Sequence, residues 1–319
     1  MDCESRDYCW FIEKHVDQLN WYELSCNKSV PLWFFEKHFD KIDWSGISIN
    51  ITIPIWFFEK YIDRLNWNYL SANPNVPLWF FEKHIDKLSW IGISYNMSIP
   101  MEFFEKYIDN LDWEGLSCNI FLPIKFFEKY INKVHWFELS RNGSISEDFF
   151  EKHLDKVHWG RLSGNTSISE EFFEKHIDNV YWRTLSYNPS VSAKFFEKHI
   201  DKVFWGVISF NLLLPEKFHE KHIDKADWAG ISFSRSISLD FIEKHIDKLR
   251  WEGLSENTLL PLEFFEKHID KVYWKGLSGN LSISLDFFEN HLDKVKWKRL
   301  SKNPAIVEKP LNIKGATRS

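Results

Sequence analysis

Thirteen tryptophans stand 23 residues apart, from Trp21, Trp44 and Trp67 to Trp297, and no insertion or deletion breaks the series. Around each sits one phrase, written FFEKHIDKVYWKGLSGN from Phe264 to Asn280. A unit of 23 residues cannot bury its own apolar face, so it must stack on copies of itself. The 319-residue chain is therefore expected to form one elongated solenoid whose job is to present a surface. The expected boundaries are a lead-in over 1–9, a single repeat domain over 10–303 and a flexible tail over 304–319.

Within a unit the spacing reads as helical. Ten and nine residues before the tryptophan come two aromatics. The first is phenylalanine in every repeat, from Phe11 to Phe287, and the second is replaced only by Ile12, His219 and Ile242. Phe265, Ile269 and Val272 fall at i, i+4 and i+7, one face of an α-helix. Ten residues after the tryptophan the column holds proline (Pro31, Pro54, Pro261) or serine (Ser146, Ser169, Ser284), which suits a first helical turn. Two residues earlier Ser98, Thr52 and Asn75 suit an N-cap.

A shorter element runs from the tryptophan to the serine four after it, with Trp274 and Leu277 on one face. Asparagine follows at Asn280 and in twelve repeats altogether, which predicts a left-handed C-cap. Each unit thus reads as helix A of about three turns and helix B of about two. The fold class is an all-α solenoid of thirteen two-helix repeats. The alternative is a leucine-rich-type α/β horseshoe, suggested by LSxNxxIP. It would need apolar residues where Ser45, Asn68, Glu114 and Lys298 stand.

The chain is 44% hydrophobic, enough for a continuous core, and its net charge of −6 is spread within every unit. A nucleic-acid footprint would need a basic stripe, so none is expected. The start, MDCESRDYCW, has no apolar leader core and no run approaches a spanning helix, so no membrane partner is expected. Cys3, Cys9, Cys26 and Cys118 make no disulfide framework, which fits a reducing intracellular compartment.

The EK-x-x-DK charges read as a solvated face laced by ion pairs within and between units. The column six before the tryptophan is histidine in ten repeats and Tyr61, Tyr107 and Tyr130 in the others. Tyrosine shares the flat ring and polar tip but not the metal affinity, so this column reads as buried, neutral packing. The serine from Ser25 to Ser301 reads as a backbone cap near the end of helix B. No catalytic, cofactor-binding or metal-binding residue is expected, and thirteen equal copies of any constellation point to structure.

Partner contacts belong in the columns that vary, one before, one after and five after the tryptophan. Tyr95, Tyr187, Phe204, Phe210, Phe233 and Arg235 are the candidate partner-binding residues. Equivalent positions elsewhere hold Asp43, Glu256 and Lys302, so the core needs no apolar residue there.

The phrase EKHIDKVxWxxLSxNP resembles tandem repeats in proteins of giant nucleocytoplasmic DNA viruses, whose run is close to LSxNPNAIxLLEKNxDKIxW. The first half matches Leu70 to Asn75 and Leu300 to Pro304, and the second half matches Glu266 to Trp274. The resemblance covers roughly residues 10–304. This chain departs from it in using Phe-Phe for Leu-Leu. The resemblance implies a viral origin and no catalytic role. The expected function is a non-enzymatic scaffold for protein–protein interaction, with host factors as candidate partners, in the host cytoplasm or the virion. The alternative is a structural virion component, such as a minor capsid or scaffolding protein. Self-association is compatible with either, and no cofactor is expected.

Overall fold

The structure, a computed structural model, describes residues 9–307. Among these residues it contains 26 α-helices and no strand, two helices for each of the thirteen tryptophans. The chain is an all-α repeat solenoid, and the α/β horseshoe is excluded. Its contacts form two compact units. One joins the described residues up to Asn66 with those from Ser255 onward, and the other is Trp67–Leu254. Repeats are numbered here by their tryptophan, from Trp21 in repeat 1 to Trp297 in repeat 13.

Helix A is shorter than its spacing predicts. In repeat 12 it spans Leu262–Lys267, and His268 leaves the helix at φ −118°, ψ 29°. Ile269 and Val272 therefore follow in a turn and an extended segment rather than on the same helix. In repeats 2 to 4 that turn is a 3₁₀ element such as Phe39–Lys41. Helix A starts one residue later than the proline suggests. Pro31 is the N-cap of Leu32–Lys37, and where serine replaces it, as at Ser169, its side chain accepts from Phe172 N–H. Ser98, two residues before the cap, bonds the asparagine side chain behind it instead.

The two phenylalanines of each helix A and the leucine or isoleucine of helix B form the core. Phe34, Phe35, Leu24 and Ile47 are completely buried. Glycine two after the tryptophan has a packing reason. A Cβ at Gly46 would stand 2.6 Å from Ser25 Cβ, and one at Gly253 would stand 2.6 Å from the Ser232 carbonyl carbon. Glycine here lets helix B lie against the preceding helix B.

Four kinds of contact join one repeat to the next. The tryptophan stacks on the first phenylalanine of the following repeat, as Trp21 does on Phe34 at 5.8 Å and 13°. The serine hydroxyl donates to the tryptophan carbonyl of its own repeat (Ser48 to Trp44, 2.7 Å) and accepts the Asn66 N–H of the next at 2.9 Å. Lysine and histidine of one helix A meet a glutamate of the helix A before it. Lys175 and His176 lie 2.8 and 2.7 Å from Glu151.

The asparagine supplies the fourth contact. Asn142 donates from Nδ2 to the carbonyls of Ser117 (3.0 Å) and Asn119 (3.2 Å) in the preceding repeat. Its Oδ1 accepts from the N–H and hydroxyl of Ser144. The left-handed C-cap expected for this column is corrected: Asn50 has φ −72° and ψ 114°, an extended conformation. The amide needs that backbone to reach across the repeat boundary.

The compact unit holding both the early and the late repeats brings repeat 13 against repeat 1. Repeat 13 stacks on repeat 1 with all four contacts. Trp297 packs on Phe11 at 6.1 Å and His15 at 5.1 Å. Asn20 N–H donates to Ser301 Oγ at 2.9 Å. Asn27 Nδ2 donates to the carbonyls of Ser301 and Asn303, both at 3.1 Å. Lys14 and His15 lie 3.0 and 2.8 Å from Glu289. The tail expected from residue 304 stays packed at its start, where Pro304–Val307 forms a 3₁₀ turn with Ile306 fully buried. Residues 308–319 and most of the 1–9 lead-in lie outside the described residues.

Most of the histidine column is half-buried, and several of its rings are hydrogen-bonded to a glutamate of the preceding repeat. His176, His199 and His222 each bring Nε2 within 3.0 Å of a carboxylate. Those partners hold Glu151, Glu174 and Glu197 below the usual carboxylate range, through hydrogen bonds from the histidines and lysines. Stability from these depressed carboxylates is present above the ordinary glutamate value and is lost as pH falls through the lower folded values.

His219 is a different case. It takes the place of the second phenylalanine, is buried, and leaves Nε2 without a hydrogen-bond partner. Burial pushes its imidazole from 6.5 down to about 4, against a smaller opposing pull from Glu216. Between those values the unfolded chain binds a proton that the folded chain does not, so stability falls as pH drops from 6.5 toward 4. His219→Phe should therefore stabilise the protein more at pH 5 than at pH 7.5, by roughly 2 kcal/mol. Urea midpoints at both pH values measure this, and an advantage independent of pH contradicts it.

Removing a buried asparagine strips hydrogen bonds from two carbonyls and an N–H. Asn142→Ala should cost about 2–4 kcal/mol in urea unfolding. Asn27→Ala should cost about the same, because its Nδ2 bonds both go to repeat 13. A near-silent Asn27→Ala beside a costly Asn142→Ala would show that the junction does not form in solution.

Candidate functional site

The residues one before, one after and five after the tryptophan include most of the exposed rings of the helix B segment, among them Tyr95, Tyr181, Tyr187 and Phe204. The residue one after in one repeat faces the residue one before in the next. Arg183, for example, lies over the Phe204 ring with its guanidinium 5.2 Å from the centroid. Within Trp67–Leu254 this face carries rings and guanidinium groups from repeat 6 to repeat 10. Phe137 meets His158 edge-on at 4.7 Å and is covered by Arg161 at 3.9 Å. Tyr187 and Phe204 stand 52% and 46% exposed. Phe210 and Phe233 stack at 6.0 Å and 27°.

Not every sequence candidate is equally free. Tyr187, Phe204 and Arg235 are exposed. Phe210 and Phe233 are half-buried, because Phe210 lies against the next repeat, where a Cβ at Gly230 would come within 2.8 Å of its Cδ2. Tyr95 also leans on the following repeat, where a Cβ at Gly115 would stand 2.9 Å from its Cδ2. Burial raises its hydroxyl to about 12, so it stays a neutral donor.

Tyr181, more than half exposed on the same face, is absent from the sequence candidates. Its position one before the tryptophan belongs to a column already marked as variable, so the signal was present. Phe121, Leu213 and Leu259 were missed altogether and project from the turns between helix B and helix A. They stand where most repeats place Ser, Thr or Asn, and that departure is the legible sign.

Beside the rings lies one buried carboxylate. Glu138 is 3.6 Å from both Arg141 and Arg161, and Cys118 Sγ donates to it at 3.3 Å. Burial and this carboxylate raise the Cys118 thiol to about 12, so it is held protonated and is no nucleophile at neutral pH. Cys9, Cys26 and Cys118 are free thiols. Among the described residues no three His, Cys, Asp or Glu side chains group as metal ligands. Also among them, no helix is long and apolar enough to cross a membrane.

No protein-family model, curated protein or solved structure matches this chain.

The half-buried and exposed rings should respond differently to truncation. Phe210→Ser should lower stability by about 1–2 kcal/mol, because its ring packs on the next repeat. Phe204→Ser should stay within about 0.5 kcal/mol of the parent. Equal losses in urea unfolding would mean that both rings belong to the core.

Proposed function

We propose that this chain is a non-enzymatic repeat scaffold that binds a protein partner through the helix B face of repeats 6 to 10. The observation that carries the reading is the run of exposed Tyr181, Tyr187 and Phe204 with Arg183 laid on the Phe204 ring. Tyrosine, phenylalanine and arginine are the residue types that anchor protein interfaces. The repeat phrase supports a giant-virus origin. A host-cell protein is then the partner class, met in the host cytoplasm.

The alternative is a structural virion component, a minor capsid or scaffolding protein, and the junction between repeats 13 and 1 bears on one form of it, a head-to-tail filament. The faces of repeats 1 and 13 that such a filament would use bond each other through Asn20, Asn27 and Ser301.

The test is association of the purified chain with its captured partner, compared with Tyr187→Ala/Phe204→Ala. A loss of tenfold or more in affinity, about 1.4 kcal/mol, with an unchanged melting curve is expected. Unchanged affinity would move the surface elsewhere. Abundance of the chain in purified particles would favour the virion reading.

A further inference from the structure

The same helix B columns change character where the last repeats meet the first. A depression of about 500 Å³ opens there, lined by Glu23 of repeat 1 and by Lys275, Lys296, Lys298, Arg299 and Lys302 of repeats 12 and 13. Five cations therefore surround one carboxylate, in a chain whose net charge is −6. Lys275, Lys296, Lys298 and Lys302 make no ion pair with a carboxylate among the described residues. Arg299 is turned away toward Glu256, at 3.7 Å.

Arg299, one of the lining residues, passes beside a missing side chain. Five residues after the tryptophan, where Tyr95, Phe210 and Phe233 stand in other repeats, repeat 12 has Gly279. Only Arg299 Cδ and the Gly276 carbonyl oxygen come within 4 Å of a Cβ placed there. Arg299 crosses over this glycine to reach Glu256, two repeats back.

Unpaired like charges gathered in a concavity favour an anion that fits among them. The volume is that of a small-molecule site. Lysines act as separate point charges, which suits several phosphates arranged around a compact core. No aromatic ring lines the depression, so a nucleobase would have no stacking surface. Glu23 would repel a phosphate but accepts hydrogen bonds from a hydroxyl.

We propose that this depression binds a compact polyphosphorylated polyol, with its phosphates on the lysines of repeats 12 and 13 and a hydroxyl on Glu23 of repeat 1. Because the lining comes from both sides of the junction, the ligand holds the last repeat on the first. Binding then stabilises the folded chain by mass action.

The experiment is titration of the full chain with inositol hexakisphosphate at physiological salt, followed by calorimetry and by melting temperature. Saturable one-site binding and a higher melting temperature are expected. Lys275→Gln/Lys298→Gln, checked for unchanged helical circular dichroism, should weaken binding tenfold or more and remove the thermal shift. Lys217→Gln, an exposed lysine of repeat 10 outside the depression, should leave both intact. Vesicles carrying a phosphoinositide headgroup form a second arm. Binding of the soluble probe alone assigns a free polyol phosphate, and binding of both admits the lipid headgroup. Binding of neither overturns the proposal, as does an equal loss in Lys217→Gln. Inorganic sulfate at the same ionic strength giving the same thermal shift also overturns it, since the shift would then be a general salt effect.

Discussion

The buried asparagine amide is the contact on which the repeat depends. At Asn96, Asn142, Asn188 and Asn280 the side chain satisfies two carbonyls of the repeat before it and the backbone of its own turn. Helices of four to six residues are too short to persist by themselves, and their ends leave most of their backbone groups unpaired. The asparagine and the serine hydroxyl supply those partners from the neighbouring repeat. The phenylalanine core is the non-directional part of the same arrangement, and the amide sets its register. Only at Ser234 does the ladder lose its amide, and there a hydroxyl bonds Ser236 instead.

Much of this was legible in the residues. The 23-residue period, the two helices, the phenylalanine core and the inter-repeat lysine–glutamate pairs all follow from column identity. The length of helix A did not. Phe265, Ile269 and Val272 keep helical spacing, yet the chain turns at His268 so that the ring column can face the preceding tryptophan and glutamate. Asparagine was read as a left-handed cap because its local preference points that way. In a perfect repeat a residue and its copy 23 positions on are the same letter, so a bond reaching across repeats is written like a bond within one. The meeting of repeat 13 with repeat 1 uses the same residue columns as any other boundary, so no residue type marks it out.

The candidate surface was legible for a different reason. Columns that build the interface cannot vary, so variation marks what faces outward. Tyr187 and Phe204 came out of that rule directly. It failed partly at Phe210, because a glycine in the next repeat opens a berth into which a large ring settles. Whether a variable ring is exposed or half-buried is thus decided one repeat later than the ring itself.

The contact between repeats 13 and 1 has a consequence for connectivity. Since that boundary carries the same bonds as the boundary between repeats 1 and 2, the compact unit containing it does not depend on where the polypeptide is cut. A circularly permuted gene, with a linker joining the segment after Val307 to the segment before Cys9 and new termini in a loop between later repeats, keeps every one of these bonds. Which repeat is translated first then becomes a property of the gene, and the order of synthesis can be changed without changing which repeat lies beside which.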